Sequence, residues 1–428
     1  MIESMRLENF KNFRDATLSL GPLTVIVGTN ASGKSNLRDA FRFVHGMSRG
    51  YTLAEIIGEK YVEGGVLQWK GIRGGIREVS YRDSKSFTIH TSIKGIHVNS
   101  PDPFRFIGNL LHSITVGLGL EKSGPVVERE RFGTTAEYIF DSHPSADPPE
   151  QSGPPYIFAR FPRGGDNRKL GKRIQFLTNQ PIISQVEDIQ QLQKNYRQPE
   201  IEFLKRLETM RFLDLSTEAM KLPSVPGQTV LGDRGENLSS VLQAICENPS
   251  SKNAVAEWIR ELTPLDVVDF DFVPDQTGRI LVTLIENNGQ RTSAYSASDG
   301  TLRFLAMIAA LLGPDSAKFY FLEEIDNGIH PTRLYLLLQL IEQQARDNKV
   351  QIVTTTHSPQ LLGMLSDEAR EHASLIYRLE GHSEGQIKRI MDIPEARHLL
   401  ESRNLSRLHE SGWLEDAVSF SETVEDAG

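Results

Sequence analysis

An eight-residue segment near the start of the chain restricts the fold more than any other feature. Residues 28–35 read GTNASGKS and fit the pattern G-x-x-x-x-G-K-[ST]. The apolar run Leu23–Val27 precedes the segment, and apolar residues at i, i+3, i+4 and i+7 from Leu37 follow it. In such a strand–loop–helix unit, backbone N–H groups curl around an anion, and the helix dipole adds to the attraction. The segment therefore predicts an α/β fold with a phosphate-binding loop.

Two residues of this loop have specific expected roles. We expect Lys34 to reach the β- and γ-phosphates of a nucleotide and Ser35 to bind Mg²⁺. The alternative is a chance match at an ordinary strand–turn–helix junction. The residues predicted to hold the nucleotide here are Gly28, Asn30, Ala31, Ser32, Gly33, Lys34, Ser35 and Asn36.

Two later strands end in residues that suit chemistry on a phosphate. The apolar run Phe319–Leu322 ends in Glu323 and Glu324, and the β-rich run 351–356 ends in His357. Residues at the carboxyl ends of strands lie beside bound nucleotides in α/β folds. Neighbouring strand residues point to opposite faces, so one acid would join the Mg²⁺ shell and the other would polarise the attacking water. His357 would contact the γ-phosphate and help to position water. A solvated acidic turn and a structural histidine are the alternatives.

The overall composition is that of an ordinary globular chain. The 428 residues include 47 Lys and Arg against 56 Asp and Glu, a net charge of −9. This balance argues against indiscriminate nucleic-acid binding but allows a local basic patch. Cys246 is the only cysteine, no secretory signal is recognisable, and the apolar stretch 304–312 is shorter than the ~20 residues of a membrane span. These features predict a cytoplasmic protein with no membrane partner.

Together the motifs resemble those of the ABC-type ATPases of the SMC/RecF/OLD group, and they occur in that group's order. Residues 233–238 also resemble a segment of stand-alone bacterial predicted ATPases in the group. The matching motifs are the first strand and turn at 5–13, the phosphate loop at 28–36, the signature at 298–301, the Walker B strand at 319–324, the D-loop at 327–331 and the switch-histidine loop at 355–359.

The resemblance implies an ATPase that converts ATP and water to ADP and phosphate. It implies a head-to-tail dimer in which ATP lies between the phosphate loop of one subunit and the signature of the other. Ser298 and the N–H of Gly300 would then contact the γ-phosphate in trans. Read without the family, residues 298–300 are the N-cap of a helix over 301–312, which is compatible with the first reading.

The resemblance also assigns roles to the acids and the histidine. Glu323 would bind Mg²⁺ through water, although the group usually has Asp at this position. Glu324 would be the catalytic base, with His357 and Lys34 as further catalytic residues. ATP and Mg²⁺ are therefore the expected cofactors.

The motif order predicts a P-loop ABC-type ATPase head in which helices flank a mixed β-sheet. We expect this head to comprise residues 1–90 and 265–400, an α+β insertion or helical region to span 91–264, and a tail to span 401–428. Strands are predicted at 77–81 and 87–90, helices over 186–212 and 237–262, and a loop over 214–236.

Three biological roles remain open at this stage. The favoured role is a dimer or higher oligomer that senses or clamps nucleic acid and controls an effector protein in bacterial anti-phage defence. The alternatives are a RecF-like repair factor that binds DNA and the ATP-binding subunit of a transporter. Residues 358–428 contain no Asp-x-Asp pair, so a Toprim nuclease is not expected there and the effector would be a separate polypeptide.

DNA is a candidate partner because of one basic stretch. Residues 160–173 contain six Arg or Lys and one acid, and Phe158, Phe161 and Phe176 lie among or beside them. Such a stretch can contact phosphates and splayed bases. The alternative is a solvated loop on an insertion.

Overall fold

A computed structural model describes residues 1–95, 108–119, 124–135, 137–143, 156–161, 172–187, 194–347, 350–379 and 381–401. The strands in these ranges are β1 (Ile2–Phe10), β2 (Phe13–Ser19), β3 (Leu23–Val27), β4 (Lys60–Val62), β5 (Val66–Trp69), β6 (Ser86–Ile93), β7 (Leu110–Gly117), β8 (Val126–Gly133), β9 (Tyr138–His143), β10 (Tyr156–Phe161), β11 (Lys172–Leu177), β12 (Met210–Leu213), β13 (Val267–Pro274), β14 (Ile280–Glu286), β15 (Arg291–Ser293), β16 (Phe319–Leu322), β17 (Gln351–Thr356), β18 (Ser374–Tyr377) and β19 (Gln386–Arg389).

The α-helices in the same ranges are α1 (Lys34–Ser48), α2 (Leu53–Ile57), α3 (Gly75–Glu78), α4 (Lys194–Glu208), α5 (Thr217–Met220), α6 (Leu238–Cys246), α7 (Pro249–Leu262), α8 (Asp299–Leu312), α9 (Pro331–Asp347), α10 (Asp367–Arg370) and α11 (Pro394–Glu401). Within the described ranges, no helix combines the length and apolar character needed to cross a membrane.

A six-stranded sheet positions the predicted site. Its order is β12-β16-β17-β3-β18-β19, in which the first five strands are parallel and β19 is antiparallel to β18. Strands β16 and β17 are buried at every position, as expected for parallel strands that are covered on both faces. Because the carboxyl ends of β3, β16 and β17 meet at one edge, the residues that follow these strands come together there.

A second sheet has eight strands in the order β11-β10-β9-β8-β7-β6-β1-β2, and all its neighbours are antiparallel. Strand β6 alternates between buried and half-buried positions, so one face of the sheet meets the core and the other meets solvent. The sheet joins β1 and β2 to strands between residues 110 and 177. The boundary predicted after residue 90 therefore falls inside β6, and the division into head and insertion stays a prediction.

Helix α1 lies between the two sheets and packs against both. The ring of Phe41 lies 5.2 and 5.6 Å from the rings of Phe319 and Phe321 in β16, and Phe43 lies 5.5 Å from Phe87 in β6. Replacing a buried aromatic of this kind with alanine typically costs about 3–5 kcal/mol. The helix that begins at the phosphate loop is therefore fixed from both sides.

The secondary structure differs from the sequence predictions in three places, one of which is the predicted loop over 214–236, where the short helix α5 forms behind its N-cap Ser216. The segment 77–81 was predicted as a strand, but α3 ends within it, after a turn in which Gly74 has a left-handed φ of 72°. The predicted helix over 186–212 contains α4 and then β12, the edge strand of the parallel sheet. A four-residue buried strand directly after a helix has too few positions to show its own periodicity. The predicted tail spans 401–428, and its residues 402–428 lie outside the described ranges.

Candidate functional site

The phosphate loop connects β3 to α1 and depends on unusual backbone angles. Ala31 and Gly33 have φ values of 64° and 127°. A Cβ atom at Gly33 would lie 2.7 Å from Nδ2 of Asn12, and one at Gly28 would lie 2.5 Å from the carbonyl oxygen of Ile376. Any larger residue at either glycine would therefore push a neighbour away and deform the loop.

Asn12, in the turn between β1 and β2, holds the loop in place. Its Nδ2 donates to the carbonyl oxygen of Ser32 at 2.9 Å, and its Oδ1 accepts from Nδ2 of Asn36 at 2.7 Å. Asn36 Oδ1 in turn accepts from Nη2 of Arg73 at 3.3 Å. The sequence did not reveal this role of Asn12, because a polar residue in a hairpin turn has no distinctive spacing relative to the loop.

The three predicted catalytic side chains form one chain of contacts. Lys34 Nζ donates to the carbonyl oxygens of Gly28 and Thr29 at 2.5 and 2.8 Å and lies 3.2 Å from Nδ1 of His357. The other ring nitrogen, Nε2, lies 3.2 Å from Oε1 of Glu324. A neutral imidazole has one acceptor and one donor nitrogen, so the distances fit Nδ1 accepting from Lys34 and Nε2–H donating to Glu324. His357 thus links the loop cation to the carboxylate.

Glu324 is held in an unfavourable backbone conformation directly after β16. Its φ of 49° is left-handed, which costs about 1–2 kcal/mol for a residue with a Cβ atom. Its N–H donates to Oγ1 of Thr355 at 3.1 Å, and its Oε2 accepts from Nδ2 of Asn327 at 3.2 Å. The side chain remains 47% exposed, so it is accessible to water and ligand.

Glu323 faces a different environment from Glu324. Its Oε2 lies 2.8 Å from Nη1 of Arg38 in α1, and its side chain is only 21% exposed. Burial raises the pKa of Glu323, and Arg38 acts in the opposite direction. The structure thus separates the two acids, although their roles in catalysis stay predictions.

The donors and acceptors of the site fit ATP with Mg²⁺. Ser32 Oγ and Glu323 Oε1 are buried and make no hydrogen bond to another described residue. Ser32 Oγ can donate to a phosphate oxygen, and Glu323 Oε1 can accept from a metal-bound water, so ATP with Mg²⁺ would supply the partners that these atoms lack. No group of three or more His, Cys, Asp or Glu forms a metal cage in the described ranges. Nucleotide-bound Mg²⁺ usually takes only one or two protein ligands, which Ser35 and Glu323 could provide.

The predicted signature forms the N-terminus of α8. Ser298 is the N-cap, and its Oγ accepts from the N–H of Thr301 at 3.2 Å. Asp299 pairs with Lys221 at 3.3 Å. A Cβ atom at Gly300 would lie 3.3 Å from the carbonyl oxygen of Gly328, so the turn packs closely on the loop after β16. The helix cap is therefore present, and the nucleotide contact of this turn stays a prediction.

Sequence reasoning missed two arginines on α1. Arg38 and Arg42 follow Lys34 at i+4 and i+8, on one side of the helix. Arg38 pairs with Glu323, and Arg42 lies 3.4 Å from the carboxylate of Asp233. The segment 233–238, which resembles one in stand-alone ATPases, is thereby joined to the helix of the phosphate loop. The spacing of Arg38 and Arg42 at i+4 and i+8 from Lys34 was the sequence signal that could have placed them on the side of the helix that carries Lys34.

A phosphate loop, the acids Glu323 and Glu324, and a histidine meet at the carboxyl edge of a parallel sheet, which is the arrangement of a P-loop ATPase. The chain also matches the family described as "AAA domain, putative AbiEii toxin, Type IV TA system" over residues 23–132 and 137–363. The chain belongs to this family. Both the predicted resemblance to SMC-like ABC-type ATPases and the predicted P-loop α/β fold are confirmed, and the chain is an ATPase.

Individual proteins are similar to this chain over most of its length. The "ATP/GTP phosphatase" of Helicobacter pylori (strain ATCC 700392 / 26695) is 22% identical over 379 residues, which are 87% of this chain and 89% of that protein.

Among solved structures, an SmcHead bound to the C-winged helix domain of ScpA is 12% identical with a TM-score of 0.48, over 90% of this chain and 97% of that one. The SMC head domain from Thermotoga maritima is 12% identical with a TM-score of 0.37, over 91% and 98%.

Proposed function

We propose that this ATPase is an ATP-dependent head-to-tail dimer that senses or clamps nucleic acid and controls a separately encoded effector in bacterial anti-phage defence. The main support is the contact chain Lys34–His357–Glu324. It joins a phosphate-binding cation to an exposed carboxylate through a residue that can respond to the γ-phosphate. Such an arrangement suits a switch that depends on the triphosphate.

In the hydrolytic step, Glu324 accepts a proton from the water that attacks the γ-phosphorus, and the bond to the leaving ADP oxygen breaks. Lys34 and the N–H groups at the start of α1 stabilise the charge on the phosphate oxygens. His357 donates to the γ-phosphate or to the attacking water. Mg²⁺, held by Ser35 and through water by Glu323, would neutralise charge on the β- and γ-phosphates.

Nucleotide binding must rearrange contacts that the structure shows. Lys34 donates to the carbonyl oxygens of Gly28 and Thr29, and these bonds compete with a bond to phosphate. Arg38 occupies Oε2 of Glu323, whereas Oε1 is free for a metal-bound water. These local exchanges give the ATP-bound state contacts that the present state lacks, which is a requirement for a ligand-driven switch.

A second subunit would complete the site. The side chains of Ser298 and Asp299 contact Thr301 and Lys221, on elements other than the phosphate loop. We therefore place Ser298 and the N–H of Gly300 against the γ-phosphate bound by a second subunit. A helix N-terminus is suited to such an anion. A symmetric pair of these contacts would close a dimer with two ATP molecules.

The family description, which names a toxin and a toxin–antitoxin system, supports control of an effector rather than DNA repair alone. A RecF-like repair factor is the alternative, and it would bind DNA without an effector. Copurification from the native host distinguishes the two, because only the first role requires a stoichiometric second protein.

The decisive experiment is mass determination by light scattering on Glu324→Gln, with and without ATP and Mg²⁺. The amide cannot accept the proton, so we expect hydrolysis to fall by about 10²- to 10⁴-fold while ATP binding remains. The trapped ATP should double the mass. Lys34→Ala is the matched control and should stay at the monomer mass with ATP.

Two results would contradict the proposal. A Glu324→Gln protein that hydrolyses ATP at the wild-type rate would show that Glu324 is not the base. A Glu324→Gln protein that binds ATP but keeps the monomer mass would overturn the shared dimer site.

A further inference from the structure

The strand register of the eight-stranded sheet aligns side chains in one row across its solvent face. From β1 to β11, each residue is the cross-strand partner of the next. Side chains of directly paired residues point to the same face of a sheet. The row consists of Arg6, His90, Ser113, Arg131, Asp141, Arg160 and Arg173.

The two ends of this row differ in charge balance. At the β1 end, Arg6 is matched by acids, since it lies 2.9 Å from Glu8 and 2.7 Å from Asp15. Over β8 to β11, the row has three arginines and one acid, Asp141, and a fourth arginine, Arg129, lies two residues before Arg131 on the same strand. We call these four the arginine face: Arg129, Arg131, Arg160 and Arg173.

The arginine face has more guanidinium groups than carboxylates that pair with them. Arg129 and Arg131 lie 3.4 and 3.9 Å from the same carboxylate, Asp141, and remain 61% and 53% exposed. Arg160 and Arg173 make no ion pair with another described residue. The overall chain has a net charge of −9, so this local excess of guanidinium groups is not a general property of the surface.

Aromatic side chains lie on the same face as these arginines. Tyr156, Phe158 and Arg160 alternate along β10 with buried residues, and Tyr156 is 43% exposed. The guanidinium carbon of Arg173 lies 3.9 Å from the centroid of the Phe158 ring. Such stacking fixes the planar guanidinium in place and leaves its N–H donors directed outward.

The structure corrects one detail of the sequence interpretation. Phe161 lies in the basic stretch and Phe176 lies beside it, but both face the core with 1% and 3% exposure, so they are not available to stack on bases. Arg163, Arg168 and Lys169 lie outside the described residues. The sheet register instead adds Arg129 and Arg131, which are distant in sequence from that stretch.

We infer that the arginine face binds the phosphate backbone of a nucleic-acid strand that runs across β8 to β11. This inference rests on the nucleic-acid part of the proposed function and gives it a location. Arg131 and Arg173 are three strand spacings apart, about 14 Å at ~4.8 Å per strand. That length corresponds to about four steps of ~3.4 Å axial rise, or about five consecutive phosphates.

The chemistry favours nucleic acid over an acidic protein segment. Arginine forks bind phosphate oxygens through two parallel N–H···O bonds, and exposed Tyr156 offers a ring on which a base can stack. The proposed contacts are between guanidinium groups and phosphates, which carry no base identity, so we expect binding with little sequence preference.

The test is fluorescence anisotropy of the full chain with a labelled single strand of mixed sequence and with the corresponding duplex, without ATP. In Arg160→Gln/Arg173→Gln, each lost phosphate contact should weaken binding by about tenfold at ~0.1 M salt. The slope of log K against log salt should fall by about 2. Arg160→Lys/Arg173→Lys keeps both charges and should retain most of the slope.

Arg279→Gln/Arg346→Gln is the matched control, because it removes two exposed arginines in the β13–β14 turn and in α9. Its oligonucleotide affinity and its ATP hydrolysis should both stay at the wild-type values. Equal losses in the control and test variants, or no loss in the test variant, would overturn the inference. Binding of an acidic peptide instead of either oligonucleotide would overturn it as well.

The outcomes separate this inference from the proposed function. If the oligonucleotide binds through Arg160 and Arg173 while Glu324→Gln stays monomeric with ATP, the arginine face stands and the dimer switch fails. If Glu324→Gln doubles its mass while the wild-type protein binds no oligonucleotide, the dimer stands and the arginine face fails.

Discussion

The two large sheets of this protein differ in strand direction, and the difference determines where each sheet places its charged side chains. In the six-stranded sheet, parallel strands bring the ends of β3, β16 and β17 to one edge, where Lys34, Glu324 and His357 meet. In the eight-stranded sheet, antiparallel strands place successive residues on opposite faces, and the arginine face lies on the solvated one. One sheet concentrates a few groups at a point, whereas the other spreads like charges across a surface.

This difference matches the chemistry that each sheet can support. A reacting phosphate needs several groups within hydrogen-bond distance of a few atoms, and an edge of parallel strand ends provides that. A nucleic-acid backbone presents a charge every few ångströms, and a flat face of antiparallel strands can present cations at a similar spacing. Helix α1 connects the two, because Phe41 packs on one sheet and Phe43 on the other.

The largest expected effect is a loss of ATP affinity that leaves oligonucleotide binding on the other sheet unchanged. Lys34→Ala removes the loop cation, and ATP affinity should fall on the order of 100-fold or more, because truncating a charge that pairs with phosphate costs several kcal/mol. Affinity of the arginine face for an oligonucleotide should not change. Lys318→Ala, at the opposite edge next to β16, is the control and should change neither. A parallel loss of oligonucleotide affinity in Lys34→Ala would show that the two regions are not independent.

The phosphate loop and the acid pair were predictable because their signals are local. The spacing of residues 28–35 between an apolar strand and a helix contains the information, as does the apolar run before Glu323 and Glu324. The first strands and the helices over 237–262 were predictable from periodicity for the same reason. The fold class followed from the order of these motifs.

The rest depends on contacts between residues far apart in sequence. Nothing near Asn12 indicates that it supports Ser32 and Asn36, and nothing near Arg38 indicates that it pairs with Glu323. The row of side chains across β8 to β11 depends on which strands pair and in what register, and these long-range pairings are visible only in the folded sheet.

A second prediction concerns His45 in α1, between the sheets. Burial lowers the pKa of His45 to about 4, while its Nδ1–H donates to the carbonyl oxygen of Leu207. An unfolded histidine has a pKa near 6.5, so the unfolded state binds more protons as the pH falls from 6.5 towards 4. Neutral His45 therefore makes its full contribution to the free energy of unfolding above about pH 6.5, and this contribution is lost as the pH falls towards 4. From pH 7 to pH 5 the free energy of unfolding should fall by about 2 kcal/mol through this group.

Urea unfolding at both pH values measures this effect, and His45→Gln should show a correspondingly smaller fall. His330→Gln, which replaces an exposed histidine before α9, is the control and should behave like the wild type. The same fall in His45→Gln as in the wild type would mean that acid acts on other groups and not on the helix that joins the sheets.

The smallest expected effect concerns the charges at the parallel edge. Arg38 and Glu323 are 12% and 21% exposed, so their interaction is less screened by water than that of Arg206 and Glu202, which are 30% and 35% exposed. A double-mutant cycle with Arg38→Gln and Glu323→Gln should give a coupling of about 1–2 kcal/mol in urea unfolding without nucleotide. The cycle on Arg206 and Glu202, an i,i+4 pair on α4, should give about 0.5 kcal/mol or less.

Repeating the cycle with ATP and Mg²⁺ tests whether the ion pair between Arg38 and Glu323 changes when nucleotide binds. If Glu323 turns towards a metal-bound water when ATP and Mg²⁺ bind, the coupling to Arg38 should decrease under saturating ATP and Mg²⁺, whereas the coupling on α4 should not change. Equal coupling in the two pairs without nucleotide would show that the edge gives no special strength to its charges. A coupling between Arg38 and Glu323 that ATP and Mg²⁺ leave unchanged would mean that the ion pair is structural and that Glu323 keeps Arg38 as its partner throughout the ATPase cycle.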